Sequence, residues 1–196
     1  MTRKAEQRGD GGFLDGRLLI AMPTMTDPHF EKAVILLCHH TPETAMGLVL
    51  NRTMPGVAFA DILKQLKVRR PASAAPELTV HYGGPVQTSR GFVLHSDDYR
   101  ADDATMRVAP GIALTATMDV VKALGRPGGP ARAFFALGYA GWGAGQLESE
   151  LQDNAWLVGE ADEAIVFGAE PELKWAQALA RIGVDPAMLS GASGHA

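Results

Sequence analysis

The side chains best suited to chemistry in this sequence lie between Gly138 and Trp156. Gln146, Glu150 and Asn154 recur at every fourth residue, the spacing that stacks side chains along one face of a helix. Leu147 and Leu151 form a second row for the core. A merely solvated row would alternate Lys with Glu, whereas this one sets two amides around one carboxylate. Glycines just before it leave backbone N–H groups within reach of an anion. The pattern predicts a concave surface lined by Tyr139, Trp142, Gln146 and Glu150 that receives a ligand or a partner's loop. The competing account is internal, with Gln146 and Glu150 satisfying backbone groups of a neighbouring turn such as Gly83-Gly84. Elsewhere Asn51, Arg52, Arg90 and His95 offer planar donor forks and paired donors and acceptors, which suit an anionic or amide-bearing ligand. The same residue types also cap turns and bind carbonyls where strands bend.

Several reaction chemistries lack their residues. No glycine run ends in Lys-Ser or Lys-Thr, as a phosphate loop requires, and no Gly-x-Ser-x-Gly elbow occurs. In Gly141-Trp142-Gly143-Ala144-Gly145 the next residue is Gln146, where a dinucleotide loop needs its third glycine, so the segment reads as a tight turn. His39 and His40 are expected on opposite faces of a strand, and His81 and His95 at corresponding ends of two neighbouring strands. Neither pair has an obvious third ligand, so no metal site and no cofactor are expected. Cys38 closes the apolar run 33–38 and reads as a core thiol whose burial suppresses the thiolate. Asp97-Asp98 and Asp102-Asp103 lie in a polar stretch and read as a solvated face.

Composition narrows the classes further. The chain has 196 residues, a hydrophobic fraction of 46%, and a net charge of −4, a balance that supports a core and disfavours a general nucleic-acid binder. The single cysteine excludes an internal disulfide. No apolar run approaches the roughly 18 residues of a membrane helix. Residues 1–12 are polar and without a signal core, so they are expected to be a disordered lead on a cytoplasmic protein.

Apolar runs at 18–22, 33–38 and 46–50, bounded by Pro, Gly, Asn and Thr, predict strands covered on both faces. A helix is expected over 57–67, a surface loop over 69–77, and strands over 78–82 and 91–96. Shorter strands follow at 106–108 and 112–115, then a helix from its N-cap Thr117 through Leu124. A strand over 132–137 should end at Gly138. The chain should then turn through 139–142 into a helix over 143–154. Strands at 156–158 and 165–167 precede a last helix, opened by Pro171 and ended by Gly183. Strands outnumber helices without βαβ alternation, which gives an α+β class in one domain over 13–196.

Four segments together resemble the YqgE/AlgH family of small bacterial proteins. They are Gly16–Pro23 with Asp27-Pro28-His29-Phe30, Ala45–Arg52, Tyr82–Val86 with Arg90–His95, and Leu137–Trp142 with Gly145–Glu148, Glu150-Leu151, Asn154 and Trp156. The ending Gly194-His195-Ala196 also matches, and the likeness covers about 13–196. Thr53 departs from it, since the family commonly has proline after the Asn-Arg or Asn-Lys pair. The resemblance implies a mainly antiparallel, bifurcated, barrel-like sheet with a few packed helices. It assigns no biochemical activity. One branch is named for regulating alginate production at the level of transcription, yet the family carries no recognised DNA-binding motif. The expectation is therefore a non-enzymatic binding or regulatory protein that acts through a protein partner or small ligand. Neither direct specific DNA binding nor a membrane is involved in that reading. The alternative is a small-ligand binder or enzyme with a polar pocket around Arg90, His95, Gln146 and Glu150.

Overall fold

The computed structural model describes residues 13–69, 78–186 and 189. The expected lead at 1–12, nearly all of the 69–77 loop and the ending 194–196 lie outside the described residues. Ten strands, numbered in chain order, form one curled, half-barrel sheet: eight follow the order β10-β1-β2-β3-β9-β6-β8-β7, and β5 branches from β9 and carries β4. The strands are β1 (Arg17–Ala21), β2 (Val34–His40), β3 (Thr44–Val49), β4 (Thr53–Ala58), β5 (Thr79–Tyr82), β6 (Val86–Ser96), β7 (Thr105–Ala109), β8 (Ile112–Thr115), β9 (Ala133–Gly143) and β10 (Trp156–Glu160). All pairings are antiparallel except β5 with β9, so the α+β, mainly antiparallel class holds. The sheet forks at β9. Its first half lies between β6 and β5, and its second half lies against β3.

The continuous apolar runs are strands because both faces of β1–β3 are covered. Leu18, Ile20, Val34, Leu36, Cys38 and Leu48 join one core cluster, while Leu19, Ala21, Ile35, Leu37 and Val49 join another on the opposite face. Helices close these cores. They are α1 (Phe59–Gln65), α2 (Met118–Ala123), α3 (Gln146–Gln152), α4 (Glu163–Val166) and α5 (Lys174–Arg181). Helix α3 seals the second cluster through Leu147. Helices α4 and α5 seal the first through Ile165, Val166, Ala178 and Leu179. Helices α1 and α2 cover a third cluster around Phe135.

Gly138 does not end its strand, and the expected turn over 139–142 is extended backbone within β9. Gly138 has φ +73°, the left-handed region, and lies unpaired between the Leu137–Gly91 and Tyr139–Val86 pairs, where the register with β6 shifts. The strand changes parity there. Phe134 and Ala136 face the first cluster, whereas Ala140 and Trp142 face the second. A Cβ at Gly138 would sit 2.3 Å from the Gly84 carbonyl oxygen. Only glycine allows this bend.

Other differences have local causes. Ile165 and Val166 are helical and Phe167 caps the helix: the Asp162 side chain accepts from the backbone N–H groups of Ala164 and Ile165 and so starts α4. The helix expected from residue 143 begins at Gln146, because β9 continues through Gly143. The helix expected from residue 57 begins at Phe59, because Thr53–Ala58 pairs with β5. Thr117 occupies the N-cap of α2, but its side chain makes no cap bond. His81 and His95 do not approach each other, since β9 lies between β5 and β6. His39 is exposed and His40 buried, on opposite faces as expected.

Candidate functional site

Residues of the second half of β9 meet α3 on one face and an open cleft on the other. On the α3 face, Glu150 Oε2 accepts from the indole N–H of Trp142 at 2.9 Å and of Trp156 at 2.8 Å. Its Oε1 accepts from Gln146 Nε2 at 2.9 Å, and Gln146 Oε1 accepts from the Gly143 backbone N–H at 3.1 Å. The two indoles pack edge to face and are 5% and 3% exposed. One carboxylate thus satisfies two buried donors that the core would otherwise leave unpaired. The turn that this row serves is its own, at Gly143, rather than Gly83-Gly84. Asn154 takes φ +57° just past α3, its N–H bonded to the Leu151 carbonyl, which is the work of a helix terminator.

On the other face a cleft of about 420 Å³ opens between β3, β9 and the first residues of β6. Thr44, Met46, Arg90, Phe92, Tyr139 and Gly141 line it. Tyr139 packs edge-on against Phe92 at 5.8 Å, and the Arg90 guanidinium lies over the same ring at 5.1 Å. Arg90 donates to the neutral Gln87 side chain at 3.3 Å. Among the described residues no carboxylate pairs with it. Residues 87–90 bulge out of register between the Val86–Tyr139 and Gly91–Leu137 pairs, and this carries Arg90 to the rim.

The remaining predicted residues lie apart from both faces. Asn51 accepts from the Val34 N–H and donates to the Lys32 carbonyl; Arg52 donates to the carbonyls of Pro28 and Glu31. Together they tie the 28–34 segment to the end of β3. His95 is fully buried, with one ring nitrogen on the Ser96 carbonyl at 2.8 Å and the other on the Thr115 hydroxyl at 2.9 Å. The carbonyl can only accept, so Nδ1 donates to it. The structure therefore brings Arg90, Tyr139 and Trp142 to the cleft, and Trp142, Gln146 and Glu150 to the helix.

Two further polar clusters, one half-buried and one buried, rest on long-range contacts that the sequence does not show. His40 Nδ1 accepts from the Leu14 N–H at 3.1 Å, so its Nε2–H donates to Glu148 at 2.8 Å. Bonds from its own backbone and from His40 hold the Glu148 carboxyl below its ordinary range. The second cluster surrounds Phe134. His81 stacks on that ring at 3.8 Å, and Lys174, 1% exposed, lies 5.5 Å from its centroid and donates to the Val166 carbonyl. Burial, with the Lys174 charge nearby, lowers His81 to about 4, and burial lowers Lys174 to about 8. The only sequence signal for Lys174 was a lysine among the apolar positions of α5. Cys38 is buried, and desolvation pushes its thiol up to about 12. Among the described residues no three His, Cys, Asp or Glu side chains gather closely enough to hold a metal ion. No helix among them is long and apolar enough to cross a membrane.

Residues 18–187 match a family model described as AlgH-like. A UPF0301 protein of Nitrobacter hamburgensis is 50% identical over 193 residues, covering 95% of this chain and 89% of the relative. A UPF0301 protein of Bradyrhizobium is 48% identical over all of this chain and 95% of its own length. The solution structure of the AlgH protein from Pseudomonas aeruginosa superposes with a TM-score of 0.77 at 42% identity, over 97% of this chain and all of that one. A crystal structure from Corynebacterium diphtheriae, 22% identical with a TM-score of 0.68 over 93% of this chain and 92% of its own, shares the fold. The fold is thus shared with the AlgH protein over nearly the whole chain, and this chain belongs to the YqgE/AlgH family.

Proposed function

We propose that this protein is a non-enzymatic binding module whose receptor site is the cleft of Arg90, Phe92 and Tyr139. The observation that carries the reading is Arg90, a rim guanidinium that donates to a neutral amide and pairs with no described carboxylate, above a cleft with an aromatic wall. Such a donor fork suits a carboxylate or another planar anion. A reaction would need a base beside the bound group. Among the described residues no histidine lines the cleft, and His40 and His95 have both ring nitrogens engaged elsewhere. Net charge −4 supplies no broad cationic field for phosphates, so any effect on transcription runs through a protein partner.

Affinity capture from the native extract tests this, with captured proteins and small molecules identified by mass spectrometry. The same capture is run with Arg90→Ala and Tyr139→Ala. Species held by the natural sequence should be lost from both variants while their melting curves stay close to it. Recovery of the same species from all three proteins would overturn the cleft as the site.

A further inference from the structure

The cleft has a backbone wall as well as side chains. Thr41 N–H bonds to the Thr44 carbonyl across the β2–β3 turn, so the Thr44 backbone faces β2. In an antiparallel pair, directions alternate residue by residue. The Ala45 and Trp142 groups therefore face each other, while those of Gly141 and Gly143 point away from β3. On that far side, β6 pairs with β9 only as far as Val86–Tyr139, and no described strand lies alongside Gly141 or Gly143. Gln146 holds the Gly143 N–H. By that alternation the Gly141 N–H, the Gly141 carbonyl and the Gly143 carbonyl face this side, beyond the Gly84 backbone that packs on Tyr139 and Ala140, and no described strand pairs with them. Both glycines are exposed, and neither carries a side chain to keep another backbone away.

We infer that the Gly141–Gly143 edge accepts an extended, acidic segment of a partner protein as an added strand, with a carboxylate of that segment on Arg90. Strand addition uses main-chain bonds for affinity and flanking pockets for selectivity. The edge supplies the former, and the Arg90–Phe92–Tyr139 wall supplies the latter. Sheet edges are commonly blunted by lysine, proline or a covering loop. This one instead has two glycines beside a cation that no described carboxylate pairs. The inference rests on the cleft as the binding site and names its occupant.

The test pans random octapeptides displayed on phage against the full chain, then titrates an enriched peptide into the nitrogen-15-labelled protein. Enriched sequences should be acidic and rich in β-branched residues. Binding should shift the Gly141 amide resonance and slow its hydrogen exchange. N-methylating one alternate set of peptide residues should weaken binding tenfold or more, and methylating the other set should not, because only alternate residues face the edge. Arg90→Ala should weaken the acidic peptide about tenfold and leave its lysine-substituted counterpart unchanged. The inference is overturned if no peptide is enriched, if the shifts fall away from β9, or if both methylated sets bind alike. A concentration-dependent dimer with Gly141 at its interface would also overturn it, assigning the edge to a second copy. Species lost from Arg90→Ala in the extract, together with an indifferent methylation result, would keep the cleft and remove the added strand. Species retained by Arg90→Ala would remove the cleft itself.

Discussion

The two faces of the second half of β9 carry similar residue types in opposite states. On the α3 face, Glu150, Gln146, Trp142 and Trp156 use their hydrogen-bonding groups on one another and on Gly143. On the cleft face, Arg90 reaches a neutral side chain, and the backbone of Gly141 points away from β3, its partner strand among the described residues. A polar group that has met its needs inside the molecule stabilises the fold. One that has not is available to something else. Residue type alone does not separate these cases, since Glu150 and Arg90 are equally plausible ligand contacts in the sequence. Their partners separate them.

The comparison breaks most completely at the pivot that creates two faces. In Gly138→Ala, a side chain would occupy the left-handed region and press on the carbonyls of Gly84 and Val86. Left-handed strain of about 1–2 kcal/mol adds to overpacking of about 1–3 kcal/mol. A loss of about 2–5 kcal/mol is expected in urea unfolding. A variant as stable as the natural sequence would show that the parity change at 138 is not needed.

Next in size is Glu150→Ala, which leaves two buried indole N–H groups without their acceptor. Each unpaired buried donor costs about 1–3 kcal/mol, so stability should fall by at least about 2 kcal/mol. Glu150→Gln should cost less, because an amide oxygen can still accept from the indoles, although its NH2 then opposes that of Gln146. If Glu150→Ala keeps its stability but loses a captured partner, the α3 row is itself the site, and the contrast between the faces is reversed.

A third kind of polar group lies around Phe134 and is buried without being fully paired. The His81 Nδ1 has no hydrogen-bond partner among the described residues. With His81 lowered from 6.5 to about 4, the unfolded chain binds its proton at higher pH than the folded one. Its contribution to stability is therefore complete above about pH 6.5 and lost as pH falls toward 4. Lys174, lowered from 10.5 to about 8, works in the alkaline range, where stability should rise between those values as the folded amine sheds its proton first. Urea unfolding from pH 4 to 10 should show both limbs. His81→Phe should flatten the acid one and Lys174→Met the alkaline one. An unchanged acid limb in His81→Phe would assign that loss to carboxylates instead.

Much of this architecture is legible in the sequence, for identifiable reasons. The runs in β1–β3 read as strands because burial on both faces removes polar residues from them. The four-residue spacing of Gln146 and Glu150 reads as a helix because that row is local. The Gly138 pivot is harder, since a glycine that ends a strand and one that bends it look alike until the partner strands are known. The 165–167 run is too short to show a period, and the cap at Asp162 was the better signal. Arg90 and Tyr139 are visible as residue types, but their meeting depends on the bulge at 87–90. The His40–Glu148 bond depends on α3 folding back onto β2. Long-range topology, rather than local chemistry, is what the sequence withholds.

The smallest expected effect is the sharpest test of the contrast. Arg90 is exposed, is paired with no described carboxylate, and stacks on Phe92 in contact with solvent. An exposed cation–ring contact is worth about 0.5–1 kcal/mol, and part of it is recovered when water solvates the ring edge and Gln87. Arg90→Ala should therefore unfold within about 0.5 kcal/mol of the natural sequence. A structural Arg90 would instead cost as much as Glu150, and the cleft would then be another saturated region of the fold. A silent Arg90→Ala in the melt that is deficient in capture from the extract separates binding from folding in one residue. The two faces of β9 then differ in function as they differ in hydrogen bonding.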